Sequence, residues 1–472
     1  MVWLILSTAA VISMWVLAGL ASLQAARTAR TPQGAIGWVV FLLSAPLLAL
    51  PLYLIFGHRK FSRYRDTRQK ADKILNALRV YSDSHTQDRD ALPLNEAPFE
   101  RLAGYPICNG NRFDLLVDGP AITEAMLAAI REASDYVLVQ FYIVRDDNHG
   151  RQLKDALIDA RNRGVAVWFM TDAVGSHGLS TTFRRDLEKA GVNLVDPDTR
   201  PGPKHRFHLN FRNHRKTVIV DGQIGFTGGM NIGDEYMGRD PHYGRWRDTQ
   251  VRLEGPVVQQ LQLGFCEDWF WLTEDPILDL LSWECPKVSS PGKPALVIGT
   301  GPGDPNQNGS MMYFSAISAA RTRIWIASPY FVPDQDVVAA LKNAAMRGVE
   351  VRILLPGIID HYAPWLAAFS YFDDLRAAGV QIFRYTGGFL HQKVFVVDDC
   401  IAAVGTMNLD NRSFRLNFET MALCFDGETC DAVAAMLDTD FAEAALIKET
   451  LDEQTWQIRF GAPVARLLAP VL

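Results

Sequence analysis

The stretch that decides the fold occurs twice in the chain. Residues 214–221 read HRKTVIVD and are followed by GFTGGMN at 225–231, and residues 391–398 read HQKVFVVD and are followed by GTMN at 405–408. In each copy the His and Lys lie two positions apart, so a β-strand would present both side chains on one face. One such match in 472 residues would be unremarkable, but two with the same continuation indicate a duplicated unit.

The sequence around each copy follows the same order of helices and strands. The first half predicts a helix at 122–133, a strand at 136–142, a helix at 153–163 and a strand at 165–170. The second half predicts a helix at 312–320, strands at 323–327 and 347–355, and a helix at 337–346 between them. Gly164 matches Gly348 and Gly191 matches Gly379, each where a helix is expected to end. This alternation predicts an α/β fold with a largely parallel or mixed sheet.

An imidazole beside an ammonium group forms a natural site for a phosphate. The Lys supplies fixed positive charge for the phosphate oxygens, and the His supplies a nitrogen that titrates near neutral pH. Two such pairs facing each other would surround one phosphodiester, with one His attacking phosphorus and the other protonating the leaving oxygen. Because two lysines can neutralise the phosphate, we expect no metal and no cofactor.

The duplicated motifs resemble the paired H-x-K-x4-D motifs of the phospholipase D superfamily, over nearly all of the chain after about residue 100. Within that superfamily the chain is most similar to bacterial cardiolipin synthases. The similarity lies in RNHRK at 212–216, SPYFVPD at 328–334, the stretch 391–419, and PLYLIFG at 51–57. The resemblance implies two phospholipase D-like α/β halves, related by a pseudo-twofold axis and sharing one active site.

The resemblance also implies roles for individual residues. His214 and His391 would be nucleophile and general acid/base, in an order that the sequence leaves open. The phosphate oxygens would be bound by Lys216, Lys393, Asn231 and Asn408, while Asp221 and Asp398 would complete the motifs mainly as structural support. Asp248 and Glu419 would each orient an imidazole of their own half and raise its pKa. Surface pairing of these two acids with Arg247 and Arg415 is the alternative. Gly229 in the first copy corresponds to Thr406 in the second, which could distinguish the two half-sites.

Two long apolar runs precede the repeat, at 2–23 and 34–56. Each is long enough to cross a hydrocarbon core of about 30 Å, so we expect a two-helix transmembrane anchor. A cleaved signal peptide is the alternative for the first run, and a buried soluble hairpin is the alternative for both. The segment after the second run carries more Arg and Lys than the connector. The positive-inside rule therefore predicts a multi-pass protein of the bacterial inner membrane, with its catalytic domain on the cytoplasmic side.

The composition along the chain indicates the domain boundaries and argues against nucleotides and nucleic acids as partners. We expect transmembrane helices at 1–57, a basic juxtamembrane helix and linker at 58–98, the first half at 99–284, a Pro/Gly/Ser-rich linker at 285–310, and the second half at 311–472. The run GTGPGDPNQNGS (299–310) lacks the Gly-Lys-Ser/Thr ending of a P-loop, so no nucleotide is expected. A net charge of −6 argues against nucleic acid as a partner.

The resemblance implies that the chain transfers a phosphatidyl group between two phosphatidylglycerol molecules through a phosphatidyl-histidine, giving cardiolipin and glycerol. Hydrolytic phospholipase D activity is the alternative, followed by a phosphodiester nuclease and by an inactive membrane scaffold. A basic loop at 200–212 either holds a headgroup or is solvated, and the aromatic residues at 330–331 and 365–372 either line a lipid path or pack in the core. The sequence leaves open whether the chain forms a homo-oligomer.

Overall fold

A computed structural model describes residues 2–29, 31–57, 80, 94–195, 212–284, 288, 292–304 and 306–472. The chain divides into a unit of Met1–Thr67 with Gly202–Asn210 and a second unit of Arg68–Pro201 with Phe211–Leu472. The expected juxtamembrane helix and most of the basic loop at 200–212 lie outside the described residues.

The described residues of the N-terminal unit form three α-helices, Val2–Thr28, Pro32–Ser44 and Pro46–Leu52, and a π-helical turn at Tyr53–Gly57. Its small core consists of Ala25, Leu42, Ala49 and Tyr53. Among the described residues, one helical stretch, Ser7–Thr28, is long and apolar enough to cross a membrane.

The second apolar run is not the continuous spanning helix that we expected. Its first helix, Pro32–Ser44, has 13 residues, or about 20 Å at 1.5 Å per residue, which is shorter than the hydrocarbon core. The break lies at Ala45, whose φ of −140° and ψ of 60° are not helical. Pro46 follows it, and steric contact with the proline ring disfavours the α conformation for the preceding residue. Hydropathy alone did not register this break.

The second unit is built on a mixed sheet, as the alternating pattern predicts. The strands of the first half are β1 Cys108–Val117, β2 Tyr136–Phe141, β3 Ala166–Thr171, β4 Asn193–Val195, β5 Arg212–Asn213, β6 Thr217–Val220, β7 Ile224–Gly228, β8 Trp246–Arg247 and β9 Thr249–Glu254. Those of the second half are β10 Lys293–Thr300, β11 Arg323–Ala327, β12 Phe331–Val332, β13 Glu350–Pro356, β14 Gln381–Tyr385, β15 Phe389–Leu390, β16 Val394–Val397, β17 Ile401–Gly405, β18 Leu409–Asp410, β19 Asn417–Cys424 and β20 Ala444–Leu446.

Helices cover the sheet in both halves. They are Ala97–Ala103, Asp118–Glu132, Asn148–Asn162, Thr181–Lys189, Val257–Thr273, Asn308–Ala319, Gln335–Met346, Tyr362–Ala377, Asn411–Arg415, Gly427–Ala442 and Trp456–Arg466. Gly164, Gly191, Gly348 and Gly379 have φ between 83° and 102°, the left-handed conformation that ends a helix.

The strand order reveals the internal repeat. From the centre outwards it runs β1-β9-β7-β6-β2-β3-β4 in one half and β10-β19-β17-β16-β11-β13-β14-β20 in the other, with β1 and β10 paired antiparallel. The pairings correspond as well, since β2–β3 and β11–β13 are parallel, whereas β2–β6 and β11–β16 are antiparallel. The sheet therefore passes from one repeat into the other through β1 and β10.

The expected linker at 285–310 contains a central strand, so that prediction was wrong. β10 occupies Lys293–Thr300, and its residues 295–298 are completely or almost completely buried. The Pro, Gly and Ser residues on either side are typical of a connection, but the apolar segment ALVI between them is not. This segment forms a strand because it pairs with both β1 and β19.

Each motif aspartate stabilises its own repeat, away from the histidines. Each directly follows its strand in the left-handed conformation, with φ of 53° for Asp221 and 49° for Asp398. The carboxylate of Asp398 accepts hydrogen bonds from three successive backbone N–H groups, those of residues 321–323, at 2.8 to 2.9 Å. Asp221 does the same for residues 134–136. These contacts fix the start of β2 and of β11, which is a structural role.

We predict that Asp398→Asn lowers the free energy of unfolding by about 2 kcal/mol, because an amide oxygen is a weaker acceptor for several buried N–H groups than a carboxylate. The turnover of the remaining folded protein should be unchanged. Urea unfolding followed by circular dichroism would measure the first effect, with Asp399→Asn at the exposed neighbouring position as the control. A stable variant with little activity would instead give Asp398 a direct part in the chemistry.

Candidate active site

The structure brings both motifs to one buried region of the second unit. Of the residues expected in the site, Asp221 is partly exposed. The others are buried; they are His214, Lys216, Asn231, Asp248, His391, Lys393, Asp398, Asn408 and Glu419. His214 and His391 each retain 8 % exposure, while Lys216 and Lys393 retain 1 % and 0 %. Only a small part of each imidazole is therefore exposed.

The His and Lys of each motif lie in an extended segment just before the strand rather than within it. β6 begins at Thr217 and β16 at Val394, one residue after the lysines. The ammonium of Lys216 donates to the backbone oxygen of His214 at 2.7 Å. That of Lys393 lies 3.0 Å from Nε2 of His391 and donates to the backbone oxygen of the same residue.

The middle residue of each motif points away from the site and anchors it. Arg215 forms an ion pair with Asp268 at 2.9 Å, with both side chains almost fully buried. In the second copy Gln392 donates to Asp440 at 2.7 Å and accepts from the hydroxyl of Thr249 at 2.8 Å. The alternation of side chains along an extended segment indicates that the middle residue points away from the His and Lys. It does not indicate which residues anchor it.

Each histidine is held by a carboxylate of the other half. Nδ1 of His214 lies 2.9 Å from Oε2 of Glu419, and Nδ1 of His391 lies 2.8 Å from Oδ2 of Asp248. Our expectation that each acid serves its own half was therefore wrong. The alternative that they are surface partners of nearby arginines also fails, since Arg247 binds Asp440 and Arg415 binds Asp334.

Short parallel pairings explain this exchange. β5, directly before His214, pairs with the start of β19, which leads to Glu419. β15, directly before His391, pairs with β8, which leads to Asp248. The backbone N–H of His214 donates to Phe418 at 3.0 Å, and that of His391 donates to Arg247 at 2.9 Å. The spacing of the residues along the chain could not predict this exchange, because the contacting residues are 143 to 205 positions apart.

The carboxylates determine which imidazole nitrogen carries hydrogen. Burial favours the neutral form of Glu419, but His214 and Lys216 outweigh it and hold the pKa of the carboxyl below its usual value. Burial likewise acts on Asp248, whose carboxyl pKa is held low by His391 and Lys393. An ionised carboxylate can only accept, so the hydrogen of each imidazole lies on Nδ1. This leaves the Nε2 lone pair of His214 for chemistry, whereas Nε2 of His391 accepts from the Lys393 ammonium at 3.0 Å in the empty site.

The pKa values of both histidines are lowered, although the neighbouring carboxylates were expected to raise them, because the effect of burial is larger. Burial lowers the pKa of His214 to about 4, although Glu419 acts in the opposite direction. Burial and the charge of Lys393 lower the pKa of His391 to about 4, against the effect of Asp248. Burial also lowers the pKa of Lys216 to about 7 and that of Lys393 to about 8. Each lysine contributes to the shift of the other motif's histidine, so the two motifs form one electrostatic unit.

The two half-sites differ around their carboxylates. The Thr406 hydroxyl donates to Oε2 of Glu419 at 2.6 Å, and Asn417 donates to Oε1 at 3.0 Å. At the corresponding position of the first copy, a Cβ on Gly229 would lie 2.1 Å from Oδ1 of Asp248. Thr406 is fully buried, so its hydroxyl supports the partner of His214 rather than facing solvent.

The asparagines differ as well. The side chain of Asn231 is bonded to the protein, accepting from Ile143 N at 3.1 Å and donating to the hydroxyl of Tyr236 at 3.3 Å. Oδ1 of Asn408 is buried and has no hydrogen-bond partner among the described residues. Phosphate binding by either amide stays a prediction.

Aromatic rings that sequence reasoning did not assign surround both imidazoles. Tyr142 meets His214 edge-on with ring centroids 5.1 Å apart, and Lys216 Nζ lies 5.7 Å from the same ring. Trp246 lies 5.2 Å from His391 and donates its indole N–H to Asp248 at 3.2 Å. The position of Trp246, two residues before Asp248, is the sequence feature that could have indicated its place in the site. Phe331, Phe369, Tyr371 and Phe372, considered for a lipid path, are buried core residues.

The comparisons with known proteins agree with this architecture. Residues 126–269 and 313–442 match the family model described as cardiolipin synthase, PLD-like domain. The chain is 42% identical to cardiolipin synthase A of Pseudomonas aeruginosa over 98% of this chain and 95% of that protein. The chain belongs to the cardiolipin synthase family of phospholipase D-like proteins. It is also 41% identical to cardiolipin synthase A of Pseudomonas putida strain W619, over 96% of each chain.

A solved structure supports the fold of this family member. Phosphatidylserine synthase of Haemophilus influenzae superposes with a TM-score of 0.59 at 13% identity, covering 80% of this chain and 99% of that one. The resemblance to bacterial cardiolipin synthases and the two repeated phospholipase D-like domains, both expected from the sequence, are confirmed.

We predict that Glu419→Gln lowers turnover by roughly 100-fold or more, because the amide no longer fixes the His214 tautomer by charge. The carboxylate raises the imidazole pKa, so its loss lowers that pKa further. The acid limb of kcat/KM should therefore move to lower pH. Profiles of kcat/KM against pH would test this, for variants whose melting temperature matches that of the unsubstituted protein. Glu449→Gln, at an exposed position, is the control. Wild-type turnover across the profile would contradict the orienting role.

Gly229→Ala and Thr406→Val should separate the two half-sites. The alanine Cβ would displace Asp248, and a misplacement on the ångström scale typically costs about 100-fold in rate. Thr406→Val removes one hydrogen bond to Glu419, which corresponds to about 1 kcal/mol, or roughly fivefold in kcat. Equal effects of both substitutions would contradict this ranking.

The lysine pKa values predict an alkaline limit for the free enzyme. As pH rises through about 7 to 8, Lys216 and Lys393 lose the charge that would attract a phosphate, so kcat/KM should fall. A bound phosphodiester anion raises both pKa values, so the alkaline limb of kcat should lie at higher pH. Steady-state profiles from pH 5 to about 10 would show the separation. A kcat/KM that is flat above pH 8 would contradict charged lysines as the phosphate ligands.

Proposed function

We propose that this protein is a cardiolipin synthase that transfers a phosphatidyl group from one phosphatidylglycerol to another and releases glycerol. The observation that carries the proposal is the pair of buried imidazoles, each oriented by a carboxylate from the other half and accompanied by a lysine. Membership of the cardiolipin synthase family supports the same substrate class.

The reaction proceeds in two displacements at one phosphorus atom. Nε2 of one histidine attacks phosphorus, while the other histidine donates a proton to the departing glycerol oxygen. In the second step that histidine takes the proton from the glycerol hydroxyl of a second phosphatidylglycerol, whose oxygen attacks phosphorus and frees the first histidine. We favour His214 as the nucleophile, with Lys216 and Lys393 holding the non-bridging oxygens and Asn231 and Asn408 assisting.

The electrostatics of the empty site suit the first step. With pKa values of about 4, both imidazoles are neutral near pH 7, as a nucleophile must be. The phosphodiester brings a negative charge between them, which favours proton uptake by the one that acts as acid. The low exposure of both rings limits water, and this favours an alcohol over hydrolysis as the second acceptor.

We also propose that the protein is held at the bacterial inner membrane with the second unit on the cytoplasmic side. The apolar helix that includes Ser7–Thr28 supports membrane attachment, and the excess of basic residues after the second apolar run supports the orientation. The broken second run either spans in two pieces or returns to the same side, and protease protection in membrane vesicles would decide between these topologies.

Purified protein incubated with phosphatidylglycerol should yield cardiolipin and glycerol, resolved by mass. Phosphatidic acid as the main product would favour the hydrolytic alternative. His214→Ala and His391→Ala should each abolish turnover, while His177→Ala at an exposed position outside both motifs serves as the control. A labelled phosphatidyl group should be trapped on one histidine only, and equal labelling of both would contradict the two-role mechanism.

A further inference from the structure

The C-terminal helix Trp456–Arg466 carries its large apolar residues on the outside. Trp456, Phe460 and Val464 are 70%, 68% and 64% exposed. Ala462 and Ala465 are buried, and Ile458 is partly buried against the core. Most of the large apolar side chains therefore face outwards, whereas on a water-soluble surface they would face the core.

The exposed residues form a continuous stripe. Positions 456, 460 and 464 are four residues apart, so their side chains lie along one side of the helix. Leu467 and Leu468, which are also exposed, follow directly after the helix and extend the apolar segment. We call these five residues the apolar stripe. Scattered exposed apolar residues are normal, but a contiguous patch indicates an interaction surface.

The helix is fixed in this orientation by close packing. A Cβ on Gly461 would lie 2.9 Å from Cδ2 of Leu366, so the absence of a side chain at Gly461 allows the helix to pack closely against Tyr362–Ala377. Arg466 also lies over the ring of Tyr371, 4.8 Å from its centroid. Rotation that buried the stripe would need space that this contact does not leave.

The charges near the stripe balance. The neighbouring basic residues Lys448, Arg459 and Arg466 are matched by the acidic residues Glu449, Asp452 and Glu453. Arg459 forms an ion pair with Asp452 at 3.0 Å. The surface is therefore apolar rather than strongly charged, which suits the boundary between lipid headgroups and acyl chains better than a charged protein partner.

The segment that follows the stripe is bonded to a helix next to the active site. The backbone oxygen of Leu472 accepts from Arg412 N at 2.7 Å. The guanidinium of Arg412 also donates to the backbone oxygen of Val471 at 3.2 Å. Arg412 belongs to the helix Asn411–Arg415, which begins three residues after Asn408.

We propose that the apolar stripe is a membrane-docking surface that inserts into one leaflet of a phospholipid bilayer and holds the Asn411–Arg415 edge of the active site against the lipid. Its purpose rests on the proposed lipid substrate, but the insertion itself does not require turnover. An amphipathic helix of this kind typically reaches about 5–10 Å into the leaflet. Because insertion is driven by apolar area, it should persist at high salt.

Photo-crosslinking of the full-length chain tests the contact. The photoreactive amino acid p-benzoylphenylalanine would replace Phe460, or Met346 as an equally exposed control, in vesicles of phosphatidylcholine with or without phosphatidylglycerol. Phospholipid adducts are expected at position 460 in both vesicle types and not at 346. Adducts of position 460 with a second copy or with the N-terminal helices, or no lipid adduct there, would overturn the proposal. Adducts without cardiolipin formation would indicate that the proposed function alone has failed.

A second measurement tests the effect on catalysis. The double substitution Phe460→Glu with Val464→Glu should lower turnover of bilayer phosphatidylglycerol by about tenfold or more, because it replaces the apolar area that drives insertion with charge. Turnover of a soluble short-chain phosphatidylglycerol should stay unchanged, as should both activities of Met346→Glu. Unchanged bilayer activity, or equal loss on both substrates, would overturn the proposal.

Discussion

Two buried hydrogen bonds between imidazole and carboxylate, each joining one half of the molecule to the other, are the constraint on which the site depends. Glu419 and Asp248 have no solvent exposure, and a buried carboxylate without a partner is strongly unfavourable. Neutral donors share these carboxylates, namely Thr406 and Asn417 at Glu419 and Trp246 at Asp248. The histidine and lysine of the opposite motif keep the pKa of each carboxyl low and so stabilise its buried charge. The repeat is thus more than a duplication, because each copy completes the chemistry of the other.

The same arrangement balances charge within a small volume from which water is largely excluded. Two lysines and two carboxylates offset one another, while the imidazoles remain neutral in the empty site. A single phosphodiester adds one negative charge, which the uptake of one proton can compensate. Substrate binding and protonation are consequently coupled, and the site needs no nucleotide to drive an exchange of one phosphodiester for another.

The local sequence predicted much of this structure, and its failures have physical causes. Motif spacing identified the histidines and lysines, and glycine positions marked the helix ends in both repeats. The crosswise pairing of Asp248 and Glu419 could not be predicted, because it depends on parallel pairing between segments far apart in the chain. The histidine pKa direction failed because the sequence revealed the carboxylate but not the degree of burial. Ala45 interrupts a run whose hydropathy is continuous, since the steric effect of Pro46 is not a hydropathy signal.

The parallel pairing of β5 with β19 and of β15 with β8 also determines when the enzyme can become active. During synthesis from the N-terminus, His214 leaves the ribosome about 200 residues before Glu419, its partner. Until β19 has been made, the first motif lacks the acid that orients it, whereas His391 can already pair with Asp248. A nascent chain beside a membrane full of phosphodiesters thus has at most one oriented histidine, and a reaction that needs both becomes possible only once β19 is added.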